Sequence, residues 1–140
     1  MLSVTGEGLS QFYWPVRVYY EDTDSGGVVY YANYLKFMER ARTEWLRHIG
    51  FEQDILIDEN EILFAVRHIN IDFHNPARFN ELLNVKTHIT DQRKASLVFE
   101  QIISNQTEEI ICKAHIKIAC LNCKTLKPEP IPETIISELN

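Results

Sequence analysis

The sequence predicts an α+β protein: a five-stranded antiparallel sheet wrapped around one long helix, in the order β-α-β-β-β-β. Three observations carry this. From about Asn33 to Ile49 the apolar residues recur with helical period and form a wide stripe. Four other stretches alternate between apolar and polar with a period of two, and a fifth, Ala95 to Ser104, is apolar on both faces. The segments Asp91–Lys94 and Asn105–Glu108 are short and polar, which suits antiparallel hairpins and not parallel crossovers. A sheet and a helix that each carry one apolar face need one another. A chain of 140 residues suffices for one domain with a buried core. It is read as a single domain over 1–140, with a loose lead-in over 1–11 and a C-terminal tail over 124–140.

The elements follow in order. Trp14 to Tyr20 alternates, with Val16, Val18 and Tyr20 on one face and Arg17 and Tyr19 on the other, and reads as the first strand. In the helix, Tyr34, Met38, Ala41, Trp45 and Ile49 form the apolar stripe. Leu35, Phe37, Leu46 and Arg42 flank it, while Glu39, Arg40, Glu44 and Arg47 supply the polar remainder. Gly50 is the stop signal. Phe51 to Glu61 reads as a short helical piece and a loop. In Ile62 to Phe73 the apolar positions are Ile62, Phe64 and Val66, then Ile69, Ile71 and Phe73, so the parity switches near Arg67-His68, as a β-bulge would make it do. Leu83 to Ile89 alternates, Ala95 to Ser104 is apolar on both faces, and Ile110 to Cys120 alternates against Lys113, His115 and Lys117. After Pro128, Pro130 and Pro132, the stretch Glu133 to Leu139 reads as one or two helical turns. Such a sheet has edges, and pairing them between subunits covers them, so an oligomer is expected.

Composition narrows the function. The formal net charge is -6, which argues against nucleic acid as a main partner because phosphate backbones call for clustered Lys and Arg. A small phosphorylated ligand needs only a few local cations. No run approaches the roughly 18 apolar residues of a membrane span. Met1 to Gly8 has neither the basic nor the apolar region of a signal peptide. Three cysteines, Cys112, Cys120 and Cys123, fit a reduced, cytoplasmic setting.

Between the first strand and the helix lies Glu21-Asp22-Thr23-Asp24-Ser25-Gly26-Gly27, three carboxylates and two glycines within seven residues. A helix start offers unpaired N–H groups and a partial positive charge, and a nearby carboxylate offers a base or nucleophile. Together they suit a carbonyl substrate. Asp24 as a plain turn cap before Gly26-Gly27 stands beside that reading. Gly26 and Gly27 permit positive φ and close approach of a ligand to the backbone, or make an ordinary tight turn. Asn33 is read as a helix cap in preference to a site residue. Asp22 and Glu21 are supporting, Glu21 as part of a solvated loop. A calcium loop fails on Gly26, where an oxygen side chain is needed, and on Asn33, where a Glu is needed. A zinc site built on Cys120-x-x-Cys123 with Cys112 and His115 is short of ligands on one face.

The run Val18-Tyr19-Tyr20-Glu21-Asp22-Thr23-Asp24-Ser25-Gly26-Gly27-Val28-Val29-Tyr30-Tyr31-Ala32-Asn33-Tyr34, with Phe37-Met38-Glu39-Arg40-Ala41-Arg42-Thr43-Glu44, resembles the hotdog-fold acyl-CoA thioesterases. The branch it is most similar to is the 4-hydroxybenzoyl-CoA thioesterase family, in particular the Tol–Pal-associated bacterial members. The likeness extends through Pro76-Ala77-Arg78 and Ser96-Leu97-Val98-Phe99. The resemblance implies that Asp24 is the catalytic carboxylate and that the backbone around Tyr31 polarises the thioester carbonyl. Many Tol–Pal-associated members carry a His where this chain has Tyr31; a backbone N–H serves with either side chain. Within the same motif Gly26, Gly27, Val28, Tyr30 and Asn33 are assigned to substrate binding. The turn Arg93-Lys94-Ala95-Ser96 resembles the basic turn that meets the coenzyme A nucleotide in this family, and a solvated hairpin turn is the plain alternative. The expected protein is thus an acyl-CoA thioesterase with no metal or prosthetic group, a homodimer or homotetramer with sites at subunit boundaries. The alternative is a non-catalytic protein that binds acyl carrier protein or an envelope complex on the same fold.

Overall fold

The computed structural model describes residues 2–4 and 10–140, with side chains from 11 onward. The strands are β1 (Leu2–Val4), β2 (Ser10–Arg17), β3 (Ile62–Phe73), β4 (Leu82–Gln92), β5 (Ser96–Ser104) and β6 (Ile110–Asn122). The helices are α1 (Asn33–His48), the short α2 (Gln53–Ile55) that runs into a wider turn over Leu56–Asn60, and α3 (Glu133–Leu139). All strand pairs are antiparallel, in the order β1-β2-β4-β5-β6-β3. The five expected strands are present, and β1 adds a sixth. Of the expected loose lead-in, residues 1 and 5–9 lie outside the described residues, while Leu2–Val4 pairs with Ser10–Phe12.

The helix lies in the hollow of the sheet. Phe37, Met38 and Ala41 are fully buried, with Tyr34 and Trp45 almost so. Each large side chain among them contributes roughly 1.5–3 kcal/mol of burial. The helix ends as the sequence suggested. Gly50 has φ +100°, and its N–H donates to Arg47 O while that of Phe51 donates to Leu46 O. These two bonds and the left-handed glycine form a Schellman stop. One polar network lies under the helix. Arg42 Nη1 donates to Gln101 Oε1 at 2.8 Å, and Gln101 Nε2 donates to Met38 O and to Thr87 Oγ1, each at 2.9 Å.

The bulge in β3 falls between Val66 and His68, where the apolar parity switched. Two expectations need correction. The first strand does not run from Trp14 to Tyr20. It begins at Ser10 and ends at Arg17, and Tyr20–Asp22 forms a 3₁₀ turn. Asp22 Oδ2 accepts the Tyr19 N–H at 2.8 Å, so a side chain takes the bond that a strand partner would otherwise have made. Tyr20, expected on the same face as Val16 and Val18, leaves that buried face and is exposed.

The second correction is the position of β3. Of the four strands after α1, only β4, β5 and β6 follow one another as hairpins; β3 sits at the far edge beside β6. After Phe73 the chain hugs the end of β6, with the N–H groups of His74 and Asn75 both donating to Ile111 O. It then crosses the end of the sheet to reach β4. That crossing carries Ala77 and Arg78 to the loop ahead of α1. The twelve-residue β3 is left as a long edge with Val66, Ile69 and Phe73 exposed. At the opposite end, α3 packs down through Ile135 and Leu139.

Candidate active site

The loop between β2 and α1 is fixed from two sides. From within, Asp22 is its anchor. It is 9% exposed, and both its carboxylate oxygens are engaged, Oδ2 by Tyr19 N–H and Oδ1 by Asn33 Nδ2 at 3.3 Å. Asn33 Nδ2 also meets Asp22 O at 3.3 Å. Asn33 therefore does not cap the helix: the N-cap position is Ala32, without a side-chain cap bond. From outside, the crossing segment clamps the loop. Val29 N–H donates to Ala77 O at 2.8 Å, Val28 bridges Arg78, and Ala77 N–H donates to the buried Tyr34 hydroxyl at 3.0 Å. Burial holds the Tyr34 hydroxyl pKa above its ordinary value.

On this frame Asp24 is exposed. Its Oδ1 accepts the Gly26 N–H at 2.8 Å, and Oδ2 has no protein partner among the described residues. Gly27 sits at φ +78°, which a residue with a side chain adopts only under strain. A Cβ on Gly26 would stand 3.2 Å from Asp24 Oδ1. Both glycines thus keep the carboxylate in place and accessible.

The start of α1 follows at once. Asn33 N–H donates to Tyr30 O, Tyr34 N–H to Tyr31 O and Leu35 N–H to Ala32 O, so the first helical turn is closed on itself. Tyr30 N–H goes to Asp22 O. The N–H groups of Tyr31 and Ala32 have no acceptor among the described residues. They are donors at the positive end of a sixteen-residue helix.

An aromatic wall lines this end of the molecule. Tyr30 and Tyr31 have ring centroids 4.7 Å apart, Tyr31 meets Phe73 edge-on at 6.2 Å, and Phe73 reaches Tyr34 at 5.9 Å. Tyr30, Tyr31 and Phe73 are exposed, and Val28 is half-buried beside them in sequence. Phe73 and Ala77 were not singled out as site residues in the sequence, since nothing local marks a strand end or the segment after it as adjacent to a loop some fifty residues away; Tyr34 was read only as part of the apolar stripe of the helix.

The structure thus brings Asp24, Gly26, Gly27, Val28, Tyr30, Tyr31 and Asn33 together. It does not bring Arg93, Lys94 and Ser96 to them. Leu82, at the start of β4, lies beside Arg17 near the loop, whereas Arg93 to Ser96 turn at the other end of β4. The strand between is eleven residues, about 36 Å. Arg93 Nε is paired with Asp91 Oδ2 at 3.1 Å. Cys112 and Cys120 are buried free thiols, their pKa values pushed by burial up to about 12 and about 11. Among the described residues no group of three or more His, Cys, Asp or Glu is placed to hold a metal ion, and no helix is long and apolar enough to cross a membrane.

Comparison with known proteins fits this geometry. The family profile of the Thioesterase superfamily matches residues 26–112. The chain is 46% identical over 127 residues to the acyl-CoA thioester hydrolase YbgC of Escherichia coli O6:H1, covering 91% of this chain and 94% of that one. It is 44% identical over 124 residues to the acyl-CoA thioesterase YbgC of Haemophilus influenzae, covering 89% and 90%. The crystal structure of a probable thioesterase from Bartonella henselae superposes with a TM-score of 0.83 at 39% identity, covering 88% of this chain and 100% of that one.

Proposed function

The chain belongs to the thioesterase superfamily, with its hotdog fold, and from that membership we propose that it hydrolyses an acyl-CoA thioester to a free acid and coenzyme A at the loop before α1. The observation that carries this reading is an open Asp24 carboxylate on a loop that the Thr23–Val29 bridge and the Tyr30 N–H to Asp22 O bond fold back to the helix start, where the N–H groups of Tyr31 and Ala32 are unpaired. Hydrolysis of a thioester needs an oxygen nucleophile and stabilisation of the oxyanion that forms. Asp24 supplies the first, as a base that takes a proton from water or as a nucleophile that forms a mixed anhydride, which water then cleaves to the free acid and the Asp24 carboxylate. The helix-start N–H groups supply the second, and such preorganised donors are usually the larger contribution. Coenzyme A leaves as the thiol once the tetrahedral intermediate collapses. No step requires a metal or prosthetic group. The aromatic wall of Tyr30, Tyr31 and Phe73 offers apolar surface beside the reacting carbonyl. Three free cysteines fit work in the cytoplasm.

The working form under this reading is a homo-oligomer. β3 is a long edge with exposed apolar side chains, the kind of edge that pairing covers. Antiparallel pairing of two β3 strands about a two-fold axis puts Ile62 of one copy opposite Phe73 of the other. The partner's Arg93–Ser96 turn then comes to the same end of the joint sheet as Asp24. Under this pairing the basic turn, remote from the carboxylate within one chain, is available to the coenzyme A phosphates of the partner's site.

The test is free-thiol release from short-chain, long-chain and aromatic acyl-CoA thioesters, with the parent and Asp24→Asn side by side. The expected result is turnover of at least one class by the parent and a loss of about a hundredfold or more in the variant. Parental turnover in Asp24→Asn removes Asp24 from the mechanism. Absence of hydrolysis with every thioester, together with tight acyl carrier protein binding, selects the non-catalytic binder.

A further inference from the structure

Arg42 is an ionised side chain in the core with no carboxylate within ion-pair distance among the described residues; Glu39, one turn back on α1, acts on it from farther away. Arg42 lies in α1, 8% exposed, and forms none of the ion pairs recorded among the described residues. A guanidinium presents five N–H donors. Of these, only Nη1 is engaged, by the neutral amide oxygen of Gln101. Burial lowers the Arg42 pKa to about 10, which leaves it charged at neutral pH. A buried cation whose nearest acid, Glu39, is exposed and outside ion-pair range is only weakly offset, and such a charge is kept where something compensates it.

The rest of the guanidinium opens into a cavity. Among the described residues the one fully enclosed polar side-chain atom without a partner is His88 Nδ1, so the unpaired nitrogens of Arg42 retain an accessible surface. Arg42 lines a cavity of about 200 Å³ between α1, the inner face of the sheet and α3. Its wall is mainly apolar, with Phe64, Leu97, Phe99 and Ile118 from the sheet and Ile135 from α3. A cavity of roughly 150 Å³ already accepts benzene. Glu39 also lines the cavity, but its carboxylate is exposed, accepts the Thr43 hydroxyl at 3.0 Å and lies outside ion-pair range of Arg42. None of the lining residues belongs to the Asp24 loop. Arg42 is also about 13 Å along the helix from Asn33.

We propose that this cavity binds a small carboxylic acid with an apolar body, aryl or short-chain, its carboxylate on the Arg42 guanidinium and its hydrocarbon against Phe64, Leu97, Phe99 and Ile118. A planar guanidinium matches a carboxylate through two parallel N–H bonds. The hydrocarbon wall selects acids whose remainder is apolar. This is the chemical class of acid that thioester hydrolysis releases, yet the site stands apart from Asp24 and does not require hydrolysis there.

The experiment is titration calorimetry of the full chain with benzoate and hexanoate, and with the neutral benzamide and hexanamide. The parent is expected to bind at least one acid ten times or more tighter than its amide. Arg42→Met should erase that margin. Val66→Trp, which crowds the cavity and keeps the cation, should weaken acid and amide alike. Asp24→Asn should bind the acid as the parent does, so a failure of the hydrolytic reading leaves this result untouched. The proposal is overturned by equal affinity for acid and amide, or by acid binding lost in Asp24→Asn and retained in Arg42→Met. Where Arg42→Met does not fold, the Arg42 Nε–H resonance of the parent decides: a benzoate-dependent shift supports the site, and an unmoved resonance overturns it.

Discussion

The side-chain amide of Asn33 donates to both the backbone carbonyl and the carboxylate of Asp22, each at 3.3 Å, and so ties the first residue of α1 to the base of the loop that carries Asp24. The carboxylate it meets also holds the Tyr19 N–H. One buried acid thus joins the end of β2, the loop and the helix start.

Asp22→Ala is predicted to lower stability by about 1–3 kcal/mol, because two donors lose a charged acceptor. Thiol release should fall as well, since the loop no longer holds Asp24 against the helix start. Asn33→Ala should show a smaller loss of the same kind. The double variant should lose less than the sum of the two, as partners in one network do. Thermal melts and turnover on the four proteins check this, and strictly additive losses would show that the two residues act apart.

Gly26→Ala and Gly27→Ala should separate activity from stability. At Gly27 an alanine meets φ +78° with nothing near its Cβ, so the cost is backbone strain of about 1–2 kcal/mol. At Gly26 the backbone is unstrained, but the new methyl lies 3.2 Å from Asp24 Oδ1. The first variant should mainly lower the melting temperature, and the second should mainly lower kcat. Parental kcat in Gly26→Ala would mean that the position of the Asp24 carboxylate does not limit turnover.

The three thiols should react in two classes. Cys123 is partly exposed, while Cys112 and Cys120 are buried. A thiol reagent should label one site quickly in the native protein and all three after denaturation. Burial raises the Cys112 pKa from 9.0 to about 12, so the folded state keeps this proton more tightly than the unfolded one. Its contribution is complete below pH 9 and is lost as the pH rises from 9 towards 12. Denaturation midpoints should therefore fall across that range, and Cys112→Ala should flatten the fall. An unchanged slope would place its cause elsewhere.

Ile69→Lys tests the β3 edge. Ile69 is 38% exposed on a strand with one free side, and a lysine there disfavours strand pairing. Sedimentation should show the parent as an oligomer and the variant as a monomer. Turnover should drop with it, because the partner's Arg93–Ser96 turn is withdrawn. A monomeric parent with full activity would rule out a shared site.

Most of the fold was legible where the signal is local. The helical stripe from Tyr34 to Trp45, the parity switch at Arg67 and the polar hairpin turns each lie within a few residues of what they specify. The misplaced features depend on distant partners. The placement of β3 beside β6 is fixed by pairs such as Ile69 with Ile116, which no local pattern encodes. Asn33 has the position and chemistry of a cap, and only the return of Asp22 beneath it decides otherwise. Asp24 and its glycines were legible as a loop, but the clamp by Ala77 was not. Arg42 was read as a flank of the apolar stripe. Its burial follows from Gln101, fifty-nine positions away on β5.

The clamp between Val29 and Ala77 sets an order of events in time. The bond closes a loop of nearly fifty residues, and the crossing segment that supplies Ala77 is itself held at the end of β6 through Ile111. Loop closure on that scale waits for the contacts that reward it. A chain leaving the ribosome completes α1 well before Ile111 emerges, so its Asp24 loop has no outer support at that stage. On the proposed chemistry, the nascent protein carries the whole motif and is expected to stay inert until most of the sheet has been made.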